Sequence, residues 1–570
     1  MRSWLYLLGL VIVSALETPI QGVSKQEWDA LNATVGGRLH VAAPFSRSCF
    51  AQASAGVSGS YDEEECTQIQ ESYLDAVTRS NVFGAYMNTQ WETCQATSEQ
   101  CLLNFLNASD PSAFNPPRAC AQGSVPPYYI DVRALEDVLA AFNFSSTTGV
   151  PLAIKNTGHD YSGRSSAPGS LGLWTHNLQE VSYDQAFVPA GCPSESSSPG
   201  VTFGAGVTQG TLYEFAEAHN LTLPGGPSLT VGAAGGYIQG GGHSIFSNAF
   251  GLAVDRALEF KVVTPLGTNL TANACQNSDM YFALRGGGGG TFGVVLEVTM
   301  RALPQVAFPV VAVSLGEVNA TQSVKWLTFL VSNAIPYAET GWGGYIGYTS
   351  GAIFANPLIS MAQAESEMAS LANFVATFPN ATFSISEQPS FLTFFNTFKP
   401  ILDTTPVGLP LATSSRLIPV DNFQTPEKQA ELVATLSTTL QSSASALIFA
   451  VAPYFFKDDG ATSVTPAWRD SIWHVPLSAA WNYDTTKEEK QAILAGLSAA
   501  VDPLRAITPG SGAYQNEADV HEPNHAESFW GANYNQLVEI KQKYDPDHLL
   551  DCWNCVDSQG SASERFACYI

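Results

Sequence analysis

The sequence predicts an α+β fold in which a glycine-rich region is followed by longer helices on an antiparallel sheet. Short strand and helix patterns alternate over residues 128–303, longer ones follow over 305–509, and a last helix closes the chain within 510–570. The length of 570 residues leaves room for two to four domains with a large core.

In the first region, apolar runs rich in β-branched residues predict strands at 151–154, 201–203 and 260–264. Apolar residues at helical spacing predict helices over 132–144 and 209–218. Strands that alternate with helices in this way are typical of an α/β or α+β domain.

Glycines become rarer in the second region, where helices are predicted near 363–378 and 426–443 and are expected to cover an antiparallel sheet. A final helix is predicted over 533–543. It is ended by Tyr544-Asp545-Pro546, because proline cannot continue a helix.

The charge balance limits the function classes. The chain has 51 acidic and 25 basic side chains and a formal net charge of −26. Such a surface repels nucleic acid phosphates and anionic lipid headgroups. With 45% hydrophobic and 13% charged residues and 47 glycines, the composition is typical of a well-packed globular protein with many tight turns and not of a disordered one.

The first 15 residues have the pattern of a signal peptide. Arg2 is followed by an apolar run at 5–13 and by the small residues Ser14 and Ala15. A membrane anchor is the alternative, but this apolar run is too short to span a bilayer. We therefore expect the protein to be secreted.

Two further patterns agree with secretion. N-glycosylation sequons occur at seven positions along the chain: Asn32, Asn107, Asn143, Asn220, Asn269, Asn319 and Asn380. Cysteines are concentrated near the two ends, at Cys49, Cys66, Cys94, Cys101, Cys120, Cys552, Cys555 and Cys568.

In an oxidising compartment these cysteines are expected to form disulfides that fasten an irregular segment (residues 16–124) and the C-terminus, although the sequence leaves their connectivity open. A zinc site at Cys552 and Cys555 is the alternative. It is disfavoured because no second cysteine pair or histidine cluster lies at zinc-ligand spacing, and we expect no metal.

Three glycine-rich stretches carry the candidate chemistry. The first, residues 155–165, follows a predicted strand and has His159 between Gly158 and Gly163. Glycines allow the backbone to approach a ligand closely, and successive N–H groups can hold a pyrophosphate. The alternative is an ordinary turn with a solvent-facing histidine.

The second stretch, residues 223–244, contains eight glycines between Gly225 and Gly242. This density is entropically costly, so we expect a planar ligand or a second backbone to lie against it, rather than a mobile loop. The third stretch, residues 284–295, can be matched to G-x-G-x-x-G. That match carries no weight inside five consecutive glycines and without the strand–helix context of a Rossmann fold.

Together these motifs resemble the vanillyl-alcohol-oxidase, or p-cresol methylhydroxylase, superfamily. The loop Gly158-His159-Asp160-Tyr161-Ser162-Gly163 is similar to the covalent-flavin loop of that family. The other glycine stretches and the ending Tyr514-Gln-Asn516, with Trp530-Gly-Ala-Asn533-Tyr534 and Tyr544-Asp-Pro546, resemble its berberine-bridge-enzyme-like branch, and secreted fungal members in particular. The resemblance covers residues 125–304 and 510–556 and is weak over 305–509.

The resemblance implies a two-domain FAD-binding fold of the p-cresol methylhydroxylase type. An FAD domain (125–304) is completed by a C-terminal segment (510–570), and an antiparallel-sheet substrate domain (305–509) lies between them in sequence. The flavin ring is expected at their junction, which is a usual place for cofactors.

The family pattern further implies that His159 forms an 8α bond to FAD. Many relatives add a second bond from a cysteine, but this chain has Ser228 at that position and no cysteine nearby, so we expect one attachment only. The FAD-binding residues implied by the resemblance are Asn156, Thr157, Gly158, His159, Asp160, Ser162, Gly163, Ser228, Val231, Gly232, Gly235, Gly236, Gly242, Val294 and Asn533.

Tyr514 is the candidate catalytic base, since similar enzymes use a tyrosine of a Tyr-x-Asn motif near the flavin; a core tyrosine that caps backbone groups is the alternative. Trp481, Asn482 and Tyr483 are further candidates for the substrate wall, although aromatic runs more often form core. In relatives a small side chain at the position of Val231 is thought to admit oxygen.

The expected activity is transfer of hydride from an alcohol, carbohydrate or secondary metabolite to covalent FAD and then to oxygen, giving hydrogen peroxide. Oxidative cyclisation or dehydrogenation in a biosynthetic pathway is the alternative. A non-enzymatic glycoprotein of the same fold is disfavoured, because His159 and all three glycine stretches are present.

Overall fold

The structure is a computed structural model that describes residues 20, 22–403, 405–441 and 447–570. The predicted signal peptide (residues 1–15) lies outside the described residues. The helices are α1 (Lys25–Thr34), α2 (Glu63–Ser72), α3 (Ala76–Ser80), α4 (Leu135–Thr148), α5 (Gln209–Ala218), α6 (Ile238–Gly240), α7 (Ser247–Phe250), α8 (Ala253–Arg256), α9 (Ser278–Leu284), α10 (Ala320–Glu339), α11 (Met361–Glu367), α12 (Ala369–Val375), α13 (Phe391–Leu402), α14 (Pro426–Gln441), α15 (Ala467–Asp470), α16 (Lys487–Ile507), α17 (His525–Trp530) and α18 (Tyr534–Tyr544).

In the part of the chain that the structure describes, the strands group into three larger sheets and one small pair. They are β1 (Leu39–Val41), β2 (Tyr128–Asp131), β3 (Leu152–Lys155), β4 (Leu171–Trp174), β5 (Val181–Phe187), β6 (Ser198–Gly204), β7 (Leu221–Thr222), β8 (Ala257–Val263), β9 (Asn269–Asn273), β10 (Val294–Arg301), β11 (Leu303–Pro304), β12 (Phe308–Ser314), β13 (Gly343–Gly347), β14 (Gly351–Ala355), β15 (Thr382–Gln388), β16 (Leu411–Pro419), β17 (Leu447–Ala450) and β18 (Ser471–Ala480).

The glycine-rich region builds two sheets. The first has the strand order β1-β2-β4-β3, with β2 and β3 both parallel to β4 and with β1 antiparallel at the edge. The second has the order β5-β6-β10-β8-β9 and is antiparallel. The histidine loop, which we define as residues 155–165, therefore leaves the end of a buried parallel strand, as the sequence predicts.

The following region builds a seven-stranded antiparallel sheet of order β15-β12-β14-β13-β17-β18-β16. Helices α10, α14 and α16 pack together and contribute buried apolar residues to the core beside this sheet. Successive strand residues point to opposite faces. Accordingly, Ile346 and Ile448 lie in that core, while their neighbours Tyr345 and Phe449 line a cavity. The predicted α+β fold with a large antiparallel sheet is confirmed.

The predicted helices are present with small differences. Helix α5 has the predicted bounds, and α18 is shifted by one residue. Helix α4 begins three residues late, because the Asp137 carboxylate accepts the N–H groups of Arg133 and Ala134 and so caps the helix there. The helix predicted near 363–378 is two helices, since the backbone at Met368 leaves helical geometry (φ −91°, ψ 2°).

The N-terminal segment is more regular than expected. It contains α1, α2, α3 and β1, and it has a small core of its own around Phe50, Ile69 and Tyr73. Strand β1 joins the first sheet through β2, so this segment is an integral part of the fold rather than an irregular lead-in.

All ten cysteines are paired, which confirms the expectation of terminal disulfides. The bonds are Cys49–Cys66, Cys101–Cys120, Cys192–Cys275, Cys552–Cys555 and Cys94–Cys568. The last one joins the two ends of the chain, and the Cys552–Cys555 bond removes the zinc alternative. No helix among the described residues is both long and apolar enough to cross a bilayer.

Candidate functional site

A cavity of about 1110 Å³ lies where the histidine loop, the glycine stretch (defined as residues 223–244), the seven-stranded sheet and the C-terminal segment meet. Pockets for small ligands usually measure roughly 300–1,000 Å³. This cavity is therefore large enough for a dinucleotide-sized cofactor together with a second small molecule.

Most of the predicted site residues line this cavity. They are Asn156, Thr157, Gly158, His159, Asp160, Ser162, Ser228, Val231, Gly232, Gly235, Gly236 and Tyr514.

The other four lie outside the lining. Gly163 packs against Trp91, Val294 is buried in β10, and Asn533 donates a hydrogen bond to the Val464 carbonyl (2.9 Å). Gly242 donates its N–H to the Tyr514 hydroxyl at 3.3 Å.

His159 presents its imidazole to the cavity beside Thr230. The distance between His159 Nε2 and Thr230 Oγ1 is 2.7 Å, so this contact occupies one ring nitrogen. Burial lowers the pKa of His159 to about 4. The imidazole is therefore neutral near pH 7 and keeps a nitrogen lone pair, which is what a covalent bond to a cofactor requires.

The histidine loop is held by residues from both ends of the chain. The buried Nζ of Lys155 donates to the carbonyls of Phe83 and Ala85, both at 2.6 Å. Met87 N–H donates to the Gly158 carbonyl at 3.1 Å. From the other end, the Tyr569 hydroxyl donates to the Ser162 carbonyl at 2.8 Å.

Asp160 shapes the loop from within. One of its oxygens accepts the N–H groups of Ser162 and Gly163, both at 2.9 Å. The other accepts the N–H and the hydroxyl of Ser165 at 2.7 and 2.6 Å. Its carboxylate thus folds the loop into the turn that exposes His159, in addition to lining the cavity.

The sequence led us to expect a ligand or a second backbone against the glycines. In the structure they have both, since they border the cavity and pack against other backbone segments. A Cβ on Gly232 would lie 2.2 Å from the Asn156 side chain, and one on Gly289 would lie 3.0 Å from the Gly236 Cα atom. Beside these glycines, the Oδ1 atom of Asn156 is buried and has no hydrogen-bond partner among the residues that the structure describes, so it is available to a ligand donor. The residues present therefore fit a flat, polar cofactor such as FAD.

Tyr514 lies at the end of the cavity that the seven-stranded sheet lines, and it is almost fully buried. Its hydroxyl oxygen accepts hydrogen bonds from Asn516 Nδ2 (2.7 Å) and Gly242 N (3.3 Å). Burial, together with the nearby charge of Glu517, raises the pKa of Tyr514 well above its ordinary value. Both expected roles are thus visible, since Tyr514 faces the cavity and also caps a backbone N–H.

Beside Tyr514, three polar side chains from distant parts of the chain meet, and we call them the His–Glu–His cluster. Glu517 Oε1 lies 3.1 Å from His243 Nε2, and Glu517 Oε2 lies 2.7 Å from His474 Nε2. The side-chain nitrogen and oxygen atoms of the three residues lie within 4.8 Å of one another, and Glu517 accepts one hydrogen bond from each histidine.

The protonation of this cluster follows from burial and proximity. Burial disfavours ionisation of Glu517, but the charge and hydrogen bonds of His243 and His474 outweigh it and hold the pKa of this carboxyl well below its usual range. Burial lowers the pKa of His474. The cluster therefore keeps an ionised carboxylate at the edge of the cavity.

The other proposed wall residues lie elsewhere. Trp481 packs in the large core, and Asn482 donates to the Asn104 side chain at 3.1 Å. The Tyr483 hydroxyl lies 2.7 Å from the hydroxyl of Ser112. These contacts fasten the N-terminal segment to the sheet, and the structure gives the three residues no place in the cavity.

Sequence reasoning missed Thr230 and all three members of the His–Glu–His cluster. His243 and Glu517 each had a local signal, since one ends the glycine stretch and the other follows Tyr514 by three residues. His474 had none, because it lies in a strand whose place in the sheet is set by tertiary pairing.

The fold and site define a flavoprotein class, and comparison with known proteins agrees. Residues 126–273 match the family model of the FAD binding domain, and residues 513–552 match that of berberine and berberine-like proteins. The chain is 36% identical to the FAD-linked oxidoreductase ffsJ of Aspergillus flavipes, over 97% of this chain and 95% of that protein.

Two solved structures illustrate the similarity of fold. The VAO-type flavoprotein MtVAO615 of Myceliophthora thermophila C1 superposes with a TM-score of 0.84 at 28% identity, covering 94% of this chain and 95% of that one. Glucooligosaccharide oxidase of Acremonium strictum, described as carrying a 6-S-cysteinyl, 8α-N1-histidyl FAD, superposes with a TM-score of 0.62 at 20% identity, covering 76% and 92%.

This chain belongs to the VAO-type FAD-linked oxidoreductases, in their berberine-like branch. It is an FAD-dependent oxidoreductase.

Proposed function

We propose that this protein is a secreted flavoprotein oxidase that carries FAD through His159 alone, oxidises a small molecule and passes the electrons to oxygen. When bound, FAD would accept a hydride from the substrate. The chain would bind the cofactor against the histidine loop and the glycine stretch and hold it by a bond at His159. It would position the substrate at the end of the cavity that the seven-stranded sheet lines.

The proposal that FAD is attached through one residue only is supported by the disulfide bonding of the cysteines. All ten are disulfide-bonded, so no thiol is left to make a second bond to the flavin. Ser228 lines the cavity where doubly attached relatives are expected to have a cysteine. This differs from the cysteinyl and histidyl attachment described for glucooligosaccharide oxidase.

Three observations support secretion. The disulfides require an oxidising compartment, and the first 15 residues have the pattern of a signal peptide. Six of the seven sequon asparagines are exposed, and Asn32 is half-buried, so they are accessible to glycan transfer.

The substrate end of the cavity favours an apolar molecule over a sugar. Most of the side chains that line it from the seven-stranded sheet are apolar, among them Val313, Ile353, Leu411, Leu447 and Phe449, while Ser314, Tyr345, Thr413 and Ser478 are polar. Mostly apolar walls gain free energy by burying apolar surface and offer few partners to sugar hydroxyls. This observation favours the alternative in which the enzyme cyclises or dehydrogenates a secondary metabolite.

Acid precipitation of the purified protein tests the attachment. We expect the pellet to keep a yellow, fluorescent flavin in the wild type and to lose it in His159→Ala. Peptide mapping should place the flavin on the peptide that contains His159. Free FAD in the wild-type supernatant, or a flavin on the Ser228 peptide, would contradict the proposal.

Oxygen use is tested by reducing the protein anaerobically with dithionite, mixing it with air and measuring hydrogen peroxide. Reoxidation no faster than that of free reduced flavin would make the protein a dehydrogenase. A screen of apolar alcohols, phenols and oligosaccharides, read by peroxide and by flavin bleaching together, would then separate the substrate classes.

A further inference from the structure

Of the His–Glu–His cluster, Glu517 and His243 line the cavity, and Glu517 is the most exposed of the three side chains. The Glu517 side chain is 22% exposed and lines the cavity, whereas the side chains of His243 and His474 are 5% and 0% exposed. Each carboxylate oxygen accepts from one histidine and keeps further lone-pair capacity. The two more deeply buried histidines therefore hold the carboxylate in place, and its remaining acceptor capacity is open to the cavity.

The neighbouring Tyr514 is differently occupied. A hydroxyl oxygen has two lone pairs, and those of Tyr514 meet the donors Asn516 Nδ2 and Gly242 N. Its hydroxyl hydrogen remains available for donation. Tyr514 is thus arranged as a donor, and the acceptor facing the substrate end is Glu517.

We propose that Glu517 accepts the hydrogen bond, and on oxidation the proton, of a hydroxyl or N–H group on an otherwise apolar substrate, and that His243 and His474 position its carboxylate. This inference rests on the proposed function. The apolar sheet wall would bind the body of the substrate, and the carboxylate would select the one polar X–H group that is placed beside it.

Oxidation of an alcohol substrate breaks one C–H bond and one O–H bond. The C–H bond would break with both of its electrons, and bound FAD would supply the hydride acceptor. The electrons of the O–H bond would stay with the substrate and form the C=O bond, and the proton would pass from the substrate oxygen to a Glu517 oxygen. The substrate would become a carbonyl compound with two hydrogens fewer, and Glu517 would release its proton to solvent after the product leaves.

Paired probes test the hydrogen bond without turnover. Phenol and toluene have the same shape, but only phenol has a donor, and titration of the flavin absorbance gives both dissociation constants. A hydrogen bond to an ionised group contributes enough for about a tenfold preference. We expect Glu517→Gln to lower the phenol-over-toluene preference about tenfold, and Glu539→Gln, an exposed charge on α18, to leave it unchanged.

Tyr514→Phe distinguishes the two candidate acceptors. We expect it to keep the phenol preference, and Glu517→Asp to retain part of it. A preference that survives in Glu517→Gln, that disappears in Tyr514→Phe, or that is absent from the wild type overturns the inference. If these variants still carry covalent flavin and form peroxide, the proposed function stands even when the inference about Glu517 fails.

The positioning role predicts a shift with pH. The groups facing Glu517 are His243, His474, Tyr161, Tyr237, Tyr345 and Tyr514. Removing a histidine donor weakens the stabilisation of the carboxylate, so its pKa rises. In His474→Phe the phenol preference should therefore be lost at a higher pH than in the wild type.

If the phenol preference is lost at the same pH in His474→Phe and in the wild type, positioning by His474 is contradicted. Elemental analysis gives a second check. One metal ion per chain in the wild type that is absent from His474→Phe would show that the cluster coordinates a metal, and would overturn the hydrogen-bonding role.

Discussion

The histidine loop and the seven-stranded sheet line the same cavity, but they are held in different ways. The loop is fastened by hydrogen bonds between it and residues 82–87 and by one from Tyr569, and the Cys94–Cys568 disulfide joins the N-terminal and C-terminal segments beside it. The sheet is held by its strand pairing and by the apolar core beneath it.

The difference suggests how the cavity can combine a fixed end with a variable one. Directional hydrogen bonds to backbone groups set the position of His159 closely, which a covalent attachment requires. The apolar side chains of the sheet can be exchanged while the strand pairing stays. Changes at the loop should therefore abolish cofactor binding, and changes at the sheet should alter stability and ligand preference while the flavin remains.

Crowding the histidine loop should have the largest effect. A Cβ on Gly163 would lie 2.5 Å from the Trp91 ring and 2.6 Å from the Tyr569 hydroxyl, at φ +74°. We expect Gly163→Val to lower the free energy of unfolding by about 3 kcal/mol and to prevent flavin attachment. Thermal unfolding and flavin content measure both.

The matched control is Gly169→Val, at φ +64° with open space around its Cβ position. It introduces the same side chain at a similar positive φ without the clash and should cost about 1–2 kcal/mol. Equal flavin loss in the two variants would attribute the effect to strain and not to the packing of the two chain ends.

Breaking the bond between the chain ends should have the next largest effect. The Cys94→Ser/Cys568→Ser double variant removes a bond across a separation of 474 residues, and we expect a loss of about 2–5 kcal/mol. Flavin content should fall as well, because the bond fastens the segments that hold the histidine loop.

The control for this variant is Cys192→Ser/Cys275→Ser. It removes a disulfide between residues 83 positions apart in sequence, neither of which belongs to the histidine loop. It should reduce stability by less and leave flavin attachment intact. If the two double variants lose flavin to the same extent, the terminal bond has no special role at the loop.

The sheet side should respond more mildly. Ile353 of β14 is 2% exposed and lines the cavity. We expect Ile353→Ala to lower the free energy of unfolding by about 2 kcal/mol, and Ile353→Val by about 1 kcal/mol, with covalent flavin retained in both. Flavin loss in Ile353→Ala would mean that the two sides of the cavity are not independent.

The smallest structural change is at Val231, which lines the cavity and is half-buried. Val231→Ile adds one methyl group and should slow the reoxidation of reduced protein by oxygen, because it narrows the approach to the flavin. Anaerobic reduction by a substrate should proceed at the wild-type rate. Rapid-mixing measurement of the two half-reactions separates these effects, and equal slowing of both would contradict a gating role.

The sequence by itself determined the α+β class, the helices and strands around the glycine stretches, the disulfide-rich ends and the candidate flavin histidine. These features depend on contiguous residues. The strand before residue 155, the glycines around His159 and the absence of a cysteine near Ser228 can all be read locally. Most of the predicted cofactor residues accordingly line one cavity.

Tertiary structure alone decided which residues far apart in the sequence contact each other. The Cys94–Cys568 pairing and the burial of Lys155 beneath the N-terminal segment join residues far apart in sequence. The same holds for the meeting of His243, His474 and Glu517, which come from a glycine stretch, a strand of the sheet and the C-terminal segment. Local spacing carries no signal for such contacts, because they form only when separate elements pack around one cavity and fix the distances between their side chains.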